Sequence, residues 1–142
     1  MIPLNDVEYV IGAENIINTP MRVYDDKVCA FIADLSSEIL NSQLSRTYPD
    51  LTALAFWGRK ANLKKLKENF GDTTGRIGRG ICFHIAPSNI PVNFAFTYLF
   101  GLLAGNANIV RLPSKVFPQI NELCRLIKKV LTKYPEIQKR TA

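Results

Sequence analysis

The central part of the chain, residues 81–110, contains no Lys, Arg, Asp or Glu. Its longest apolar run, residues 94–105, is interrupted by Thr97, Tyr98 and Gly101. This run is shorter than the roughly 20 residues that a membrane-spanning helix needs. Continuous apolar runs are also typical of parallel strands that are buried on both faces. The pattern therefore predicts a strand–turn–helix–turn–strand unit at the centre of an α/β sheet, with its strands covered on both faces.

Turn-forming residues set the limits of this unit. We predict a strand over residues 81–86, a turn over 87–91, a helix over 92–104 that stops at Gly105, and a second strand over 107–112. Strands joined through a helix in this way run parallel. A last helix begins at Pro118 and ends before Pro135, and its apolar stripe consists of Ile120, Leu123, Cys124, Ile127 and Leu131.

The front half is predicted to be helical after an extended lead-in, residues 1–24, that contains a strand or two. Asp25 and Asp26 suit the start of a helix that runs to about Ser45. Its stripe consists of Val28, Ile32, Leu35 and Ile39. Pro49 opens a second helix that stops at Gly71 and bends at Gly58. Its buried side is predicted to consist of Leu51, Leu54, Leu63, Leu66 and Phe70.

Charge is unevenly distributed around the uncharged centre. Residues 1–57 carry eight acidic and three basic side chains, residues 58–80 carry two and seven, and residues 111–142 carry two and eight. The basic parts indicate either an anionic ligand, a complementary protein surface or solvated helix faces. The lysines of residues 60–67 leave a nucleic-acid surface open as an alternative, but no basic–aromatic alternation supports it, and we expect no nucleic-acid partner.

Cysteine usage favours a reducing compartment. Cys29, Cys82 and Cys124 are an odd number and widely spaced, which fits neither a disulfide framework nor a metal site. The N-terminal residues lack the basic start and apolar run of a signal peptide. We therefore expect a cytoplasmic protein without a membrane span.

Ligands of open parallel sheets bind beyond the carboxyl ends of the strands, which here are residues 86–89 and 112–115. The glycine triplet of the common dinucleotide fingerprint is absent, because Pro-Ser-Asn-Ile-Pro stands in its place. A cofactor at this edge therefore needs a different geometry.

The sequence from His84 to Lys115 resembles the aldehyde dehydrogenase superfamily. A Pro-x-Asn turn, a following proline, an Ala-Gly-Asn turn and a strand that ends in Pro-Ser occur in the same order and spacing. The chain is most similar to the LuxC-type long-chain acyl-CoA reductases, in Ser-Asn-Ile-Pro, in Leu-Leu-Ala-Gly-Asn-Ala-Asn-Ile-Val-Arg and in Phe-Trp-Gly-Arg at residues 56–59. This resemblance implies the N-terminal part of an aldehyde-dehydrogenase-like Rossmann domain, with a helical region (25–71) and a βαβα unit (78–134), incomplete within residues 1–142.

The resemblance also implies site residues. Asn89 matches the asparagine whose amide stabilises the oxyanion of a thiohemiacetal. The residues that match the nicotinamide side of the cofactor are Ile85, Ala86, Pro87 and Ser88. Ser114 and Lys115 match positions near the adenosine ribose, and Lys115 in place of a glutamate favours the 2′-phosphate of NADPH. The relatives' lysine aligns with Leu112, so Arg111 lies one place away, and strand alternation directs it to the other face unless the strand is irregular.

Simpler roles remain open for several of these residues. Asn89 or Ser88 could cap the following helix. We interpret His84 as a hydrogen-bonded core or sheet residue rather than a catalytic base, and Cys82 as a packing residue.

The resemblance implies a function as well. In the family a catalytic cysteine takes the acyl group as a thioester and NADPH supplies hydride, and we expect that cysteine to lie outside these 142 residues. The implied partners are an acyl-CoA or acyl-protein substrate, the remainder of the reductase or acyl-transferring subunits, and further copies in an oligomer. The alternatives are a non-catalytic fragment or subunit that folds on a partner chain and a basic nucleic-acid-binding module.

Overall fold

The computed structural model describes residues 7–12 and 14–142. Seven helices and two strands follow one another as α1 (Asp26–Asn41), α2 (Gln43–Thr47), α3 (Pro49–Trp57), α4 (Lys60–Phe70), β1 (Ile81–Ile85), α5 (Asn93–Leu103), β2 (Ala107–Arg111), α6 (Pro118–Leu131) and α7 (Pro135–Gln138). The fold is α/β, with a helical front half and a parallel βαβ unit behind it. None of the described helices is long and apolar enough to span a membrane.

The lead-in forms no strand over its described residues. It contributes a single antiparallel bridge between Arg22 and Ile77. It is fixed instead by backbone hydrogen bonds: the Ile17 amide donates to the Lys139 carbonyl at 2.9 Å, and the Met21 amide donates to the Gly105 carbonyl at 2.8 Å. The predicted strand or two is therefore wrong for residues 7–12 and 14–24, and Met1 to Asp6 lie outside the described residues.

The first predicted helix is confirmed as far as Asn41. The carboxylate of Asp25 caps it by accepting from the Lys27 amide at 2.8 Å, and its predicted stripe is buried. The helix then breaks at Ser42, whose hydroxyl donates to Glu122 on α6 at 2.6 Å and accepts from the Leu44 amide at 3.3 Å. The predicted single helix to Ser45 is therefore two helices, because Ser42 caps a new one.

The second predicted helix is also two helices. The break lies at Gly58, where a Cβ would lie 2.2 Å from the Ser36 hydroxyl and 3.1 Å from Cγ2 of Ile32, so the absent side chain lets the end of α3 approach α1 closely. Leu51, Leu54 and Leu63 are buried as predicted. Phe70 is not: it is 42% exposed and packs against Tyr24, with its ring also facing Arg76.

β1 and β2 pair in parallel, with Ile81 opposite Ala107 and Ile85 opposite Arg111. The parallel βαβ prediction is confirmed. Helices α5, α6 and α1 pack into one core, whose largest fully buried side chains include Phe31, Leu99 and Leu123. The final helix has its predicted stripe buried, and Pro135 starts the short helix α7 after it.

Burial of both sheet faces is wrong for β1. The side chains of Cys82 and His84 are half-buried, whereas Ile81, Phe83 and Ile85 are exposed by 47%, 62% and 67%. A Cβ on Gly101 of α5 would meet Asn108 and His84, so these two side chains point toward the helices. Because side chains alternate across a strand, the exposed row lies on the opposite face. The described helices that contact the sheet lie against its other face, so this face is not covered by a helix.

Candidate functional site at the carboxyl ends of the two strands

The turn after β1 and the turn after β2 lie at the same edge of the sheet, because the two strands are parallel neighbours. The first turn carries Ser88 and Asn89, and the second carries Ser114 and Lys115; all four are exposed. The structure thus brings the predicted residues of both turns to one edge. Their roles stay predictions.

Asn89 and Ser88 are free of the helix-capping role that was left open for them. The N-cap of α5 is Val92, and no side chain caps that helix. Among the described residues, neither Ser88 nor Asn89 makes a side-chain hydrogen bond with the protein. Both polar groups are therefore available to a ligand at the sheet edge.

The end of β1 and the start of the turn after it consist of Ile85, Ala86 and Pro87. Ile85 is exposed on the uncovered face, Ala86 is half-buried against the core, and Pro87 is exposed. The backbone here leaves β1, which ends at Ile85, and enters the turn that carries Ser88 and Asn89.

Lys115 is held by an aromatic contact and not by a carboxylate. Its Nζ lies 4.9 Å from the centroid of Phe117, and it forms no ion pair with the described residues. A cation over an aromatic face is attracted by the ring, and this attraction restricts its position. Sequence reasoning missed Phe117, although an aromatic side chain two positions after a lysine was a visible signal.

Arg111 lies on the uncovered face of the sheet. Its neighbours in sequence, Val110 and Leu112, both pack against the core, whereas Arg111 is exposed opposite Ile85. Regular alternation therefore holds through the end of β2, with no irregularity that would return the cation to the position of the relatives' lysine. Arg111 is directed away from the helical side of the sheet.

A polar network on the helical side of the sheet joins β1 to β2 and extends from His84 to the amino-terminal ends of both strands. Nε2 of His84 and Oδ1 of Asn108 are 2.7 Å apart, and Nδ2 of Asn108 donates to the Asn106 carbonyl at 2.9 Å. Oδ1 of Asn106 accepts from the amides of Arg79 and Gly80 at 2.7 and 3.3 Å. His84 is thus a hydrogen-bonded sheet residue, as predicted. The Gly-Asn-Ala-Asn sequence at residues 105–108 supports the sheet and its entry loop.

None of the three thiols is placed as an activated nucleophile. Burial raises the pKa of Cys124 to about 11, and it also raises the pKa of Cys29, whose Sγ lies 3.9 Å from the Tyr24 carbonyl. Cys82 is half-buried within β1. A thiol needs its thiolate form to attack a carbonyl, so these two perturbed cysteines are poor candidates for forming a thioester.

The lysines of α4 do not form a continuous cationic surface. Lys60, Lys64 and Lys67 line a groove of about 540 Å³ against α1, together with Asp26 and Asp34. Lys67 pairs with Asp26 at 3.3 Å. The mixed charges and the small apolar floor differ from the positive, aromatic-lined track of a single-strand nucleic-acid site.

Comparison with known proteins gives one family. Residues 14–133 match the family described as acyl-CoA reductase (LuxC). No curated protein and no solved structure matches the chain.

Proposed function

The chain belongs to the acyl-CoA reductase (LuxC) family, and on this premise we propose that it forms the N-terminal part of an NADPH-dependent reductase that converts acyl thioesters to fatty aldehyde. The observation that carries the proposal is the meeting of two exposed polar turns at one edge of a parallel sheet. Open sheets of this kind bind their ligands at that edge.

The residues at the edge fit a dinucleotide phosphate. Lys115 supplies an unpaired cation for the 2′-phosphate, and Ser114 supplies a hydroxyl beside it. Residues 85–88 border the other end, where the nicotinamide would lie. NADPH supplies hydride when bound, and the protein's part is to hold and orient it.

Asn89 is proposed to stabilise negative charge on the acyl oxygen. Its amide is exposed and is not engaged by the described residues. A neutral amide N–H donor at the turn after a strand can stabilise the negative charge that develops on the acyl oxygen in the transition state.

The cysteine that carries the acyl group is proposed to lie outside this chain. Cys124 is buried and its pKa is raised to about 11, and Cys29 is shifted in the same direction. The partners that follow from this proposal are an acyl-CoA or acyl-protein substrate and the polypeptide that supplies the nucleophile.

One observation favours the second candidate, a non-catalytic fragment or subunit that folds on a partner chain. The exposed row of Ile81, Phe83 and Ile85 is unusual for a parallel sheet, which is normally covered on both faces. Binding of a dinucleotide by the isolated chain distinguishes the two candidates, because only a cofactor-binding domain requires it.

The experiment is calorimetric titration of the purified chain with NADPH and with NADH, repeated on Lys115→Glu. The substitution replaces a cation by a carboxylate opposite a group with nearly two negative charges, so NADPH affinity should fall by about tenfold or more. NADH affinity should change much less. Lys133→Glu changes an exposed lysine that follows the C-terminal end of α6, and it is the matched control for net charge. Equal losses for both cofactors would argue against a 2′-phosphate contact at Lys115.

A further inference from the structure

The aromatic residue that contacts Lys115 is anchored through both its side chain and its backbone. The ring of Phe117 is half-buried and packs against the hydrophobic core. The Phe117 carbonyl accepts from the Ile120 amide at 3.1 Å, and Pro118 begins α6 directly after it. Phe117 is therefore a fixed support at the junction between the second turn and α6.

Lys115, by contrast, lies in the exposed turn between β2 and α6 and carries its charge on a flexible alkyl stem. Ordering such a side chain costs conformational entropy, which opposes any contact that it makes with a ligand. Its Nζ lies 4.9 Å from the centroid of Phe117, within the range of about 6 Å over which a ring attracts a cation. A contact that restricts the ammonium before a ligand arrives reduces the entropy lost on binding.

The charge of Lys115 is not neutralised by this contact. The first turn of α6 contains no acidic residue, and the ion pairs among the described residues do not include Lys115. An ammonium that faces a ring on one side keeps further N–H donors, and these can reach a phosphate oxygen. A carboxylate partner would instead compete with the phosphate for the same charge.

We propose that Phe117 is a positioning residue for cofactor selection: it holds the ammonium of Lys115 in place for the 2′-phosphate and so raises the preference for NADPH over NADH. The inference rests on the proposed function, since it concerns the same phosphate contact. The 2′-phosphate is the only chemical difference between the two cofactors. An effect that passes through Lys115 therefore changes the affinity for NADPH and leaves the affinity for NADH unchanged.

The test uses the whole chain and three single variants. Phe117→Leu keeps an apolar side chain against the core but removes the aromatic face, whereas Phe117→Tyr keeps that face and is the conservative rescue. Lys115→Met removes the charge and keeps an unbranched side chain. The double variant of Phe117→Leu with Lys115→Met completes a cycle, which measures whether Phe117 acts through Lys115.

Calorimetric titration with NADPH and with NADH measures the preference, and proton NMR of the Lys115 ε-methylene measures its contact with the ring. We expect Phe117→Leu to weaken NADPH binding by about two- to fivefold, which corresponds to an exposed cation–ring contact, and to leave NADH binding unchanged. Phe117→Tyr should retain the preference. In the Lys115→Met background, Phe117→Leu should have no further effect. The upfield ring shift of the ε-methylene should be present with phenylalanine or tyrosine and absent with leucine.

Three results would overturn the inference while the proposed function stands. Equal losses of both cofactors in Phe117→Leu would give Phe117 a structural role only. Unchanged or tighter NADPH binding by this variant would mean that the ring does not help Lys115 or holds it away from the phosphate. An unshifted ε-methylene in the unmodified chain would show that the contact is absent in solution. Failure of the proposed function has a different signature: the unmodified chain binds neither dinucleotide, or Lys115→Met keeps the full NADPH preference, and the inference is then refuted with it.

Discussion

Gly101 is predicted to be indispensable to the packing of α5 on the sheet. A Cβ at this position would lie 1.9 Å from Oδ1 and 2.9 Å from Cγ of Asn108, and 3.0 Å from Nε2 of His84. Asn108 is fully buried and hydrogen-bonded at both ends of its amide. It cannot move away without losing these bonds, so Gly101→Ala should destabilise the protein.

The magnitude is the balance of three terms. Overpacking costs about 1 to 3 kcal/mol, and disruption of a buried hydrogen bond costs about 1 to 3 kcal/mol more. Alanine offsets about 1 kcal/mol of this through its higher helix propensity. We therefore expect a net loss of about 1 to 5 kcal/mol in the free energy of unfolding.

The assay is urea unfolding followed by the fluorescence of Trp57, whose ring centroid lies 4.9 Å from that of Phe100 on α5. Asn108→Ala supplies the control, because it removes the two atoms nearest to the new methyl group and leaves only Nε2 of His84, at 3.0 Å. In that background Gly101→Ala should be neutral or stabilising by up to about 1 kcal/mol, which reverses its sign. If Gly101→Ala is at least as stable as the unmodified chain, the close contact inferred here is wrong.

Three further predictions concern chemistry and pH. The purified chain should not oxidise NADPH with tetradecanoyl-CoA; turnover that survives dialysis and is lost on mutating any cysteine would refute the placement of the nucleophile elsewhere. Cys124 should react with iodoacetamide at pH 8 much more slowly than a free thiol, since burial raises its pKa to about 11. Mass spectrometry after timed quenching measures this rate, and labelling as fast as in the unfolded chain would contradict the prediction. The pKa of Tyr134 is raised to about 12 by burial and by its hydrogen bond to Asp34 at 2.6 Å. Its contribution to stability is therefore complete below about pH 10 and is lost as pH rises toward 12. Urea unfolding measured across this pH range should show that the Tyr134→Phe variant lacks this part of the loss of stability; an unchanged pH dependence would contradict the prediction.

The periodic parts of the fold could be predicted because their cause is local. The stripes of α1 and α6 follow from helical spacing alone, and the turn residues around β1 and β2 fixed the order of the βαβ unit. The cap at Asp25 is equally local, since it joins residues two positions apart.

The break at Ser42 was not predicted, and at Gly58 the sequence predicted only a bend, because the contacts behind both breaks join residues that are distant in sequence. Ser42 ends α1 while bonded to Glu122 on α6, and Gly58 ends α3 against Ser36 on α1. Similarly, the apolar residues of β1 are compatible with a covered or an uncovered face, so the pattern did not show that Phe83 is exposed. The exposed turn residues were located correctly because the prolines and glycines that bound the two strands are local signals.

The relative position of the two turns depends on the polar network that joins the two strands. His84 on β1 and Asn108 on β2 join the strands through side chains as well as through the backbone ladder. A slip of one residue would turn Asn108 from the helical side to the open face and break its contacts with His84 and Asn106. The register is thereby held against slippage, and the register sets how far the Asn89 turn lies from the Ser114 turn. The asparagine-rich sequence that carries the family resemblance therefore has a physical role: it positions the candidate site without belonging to it.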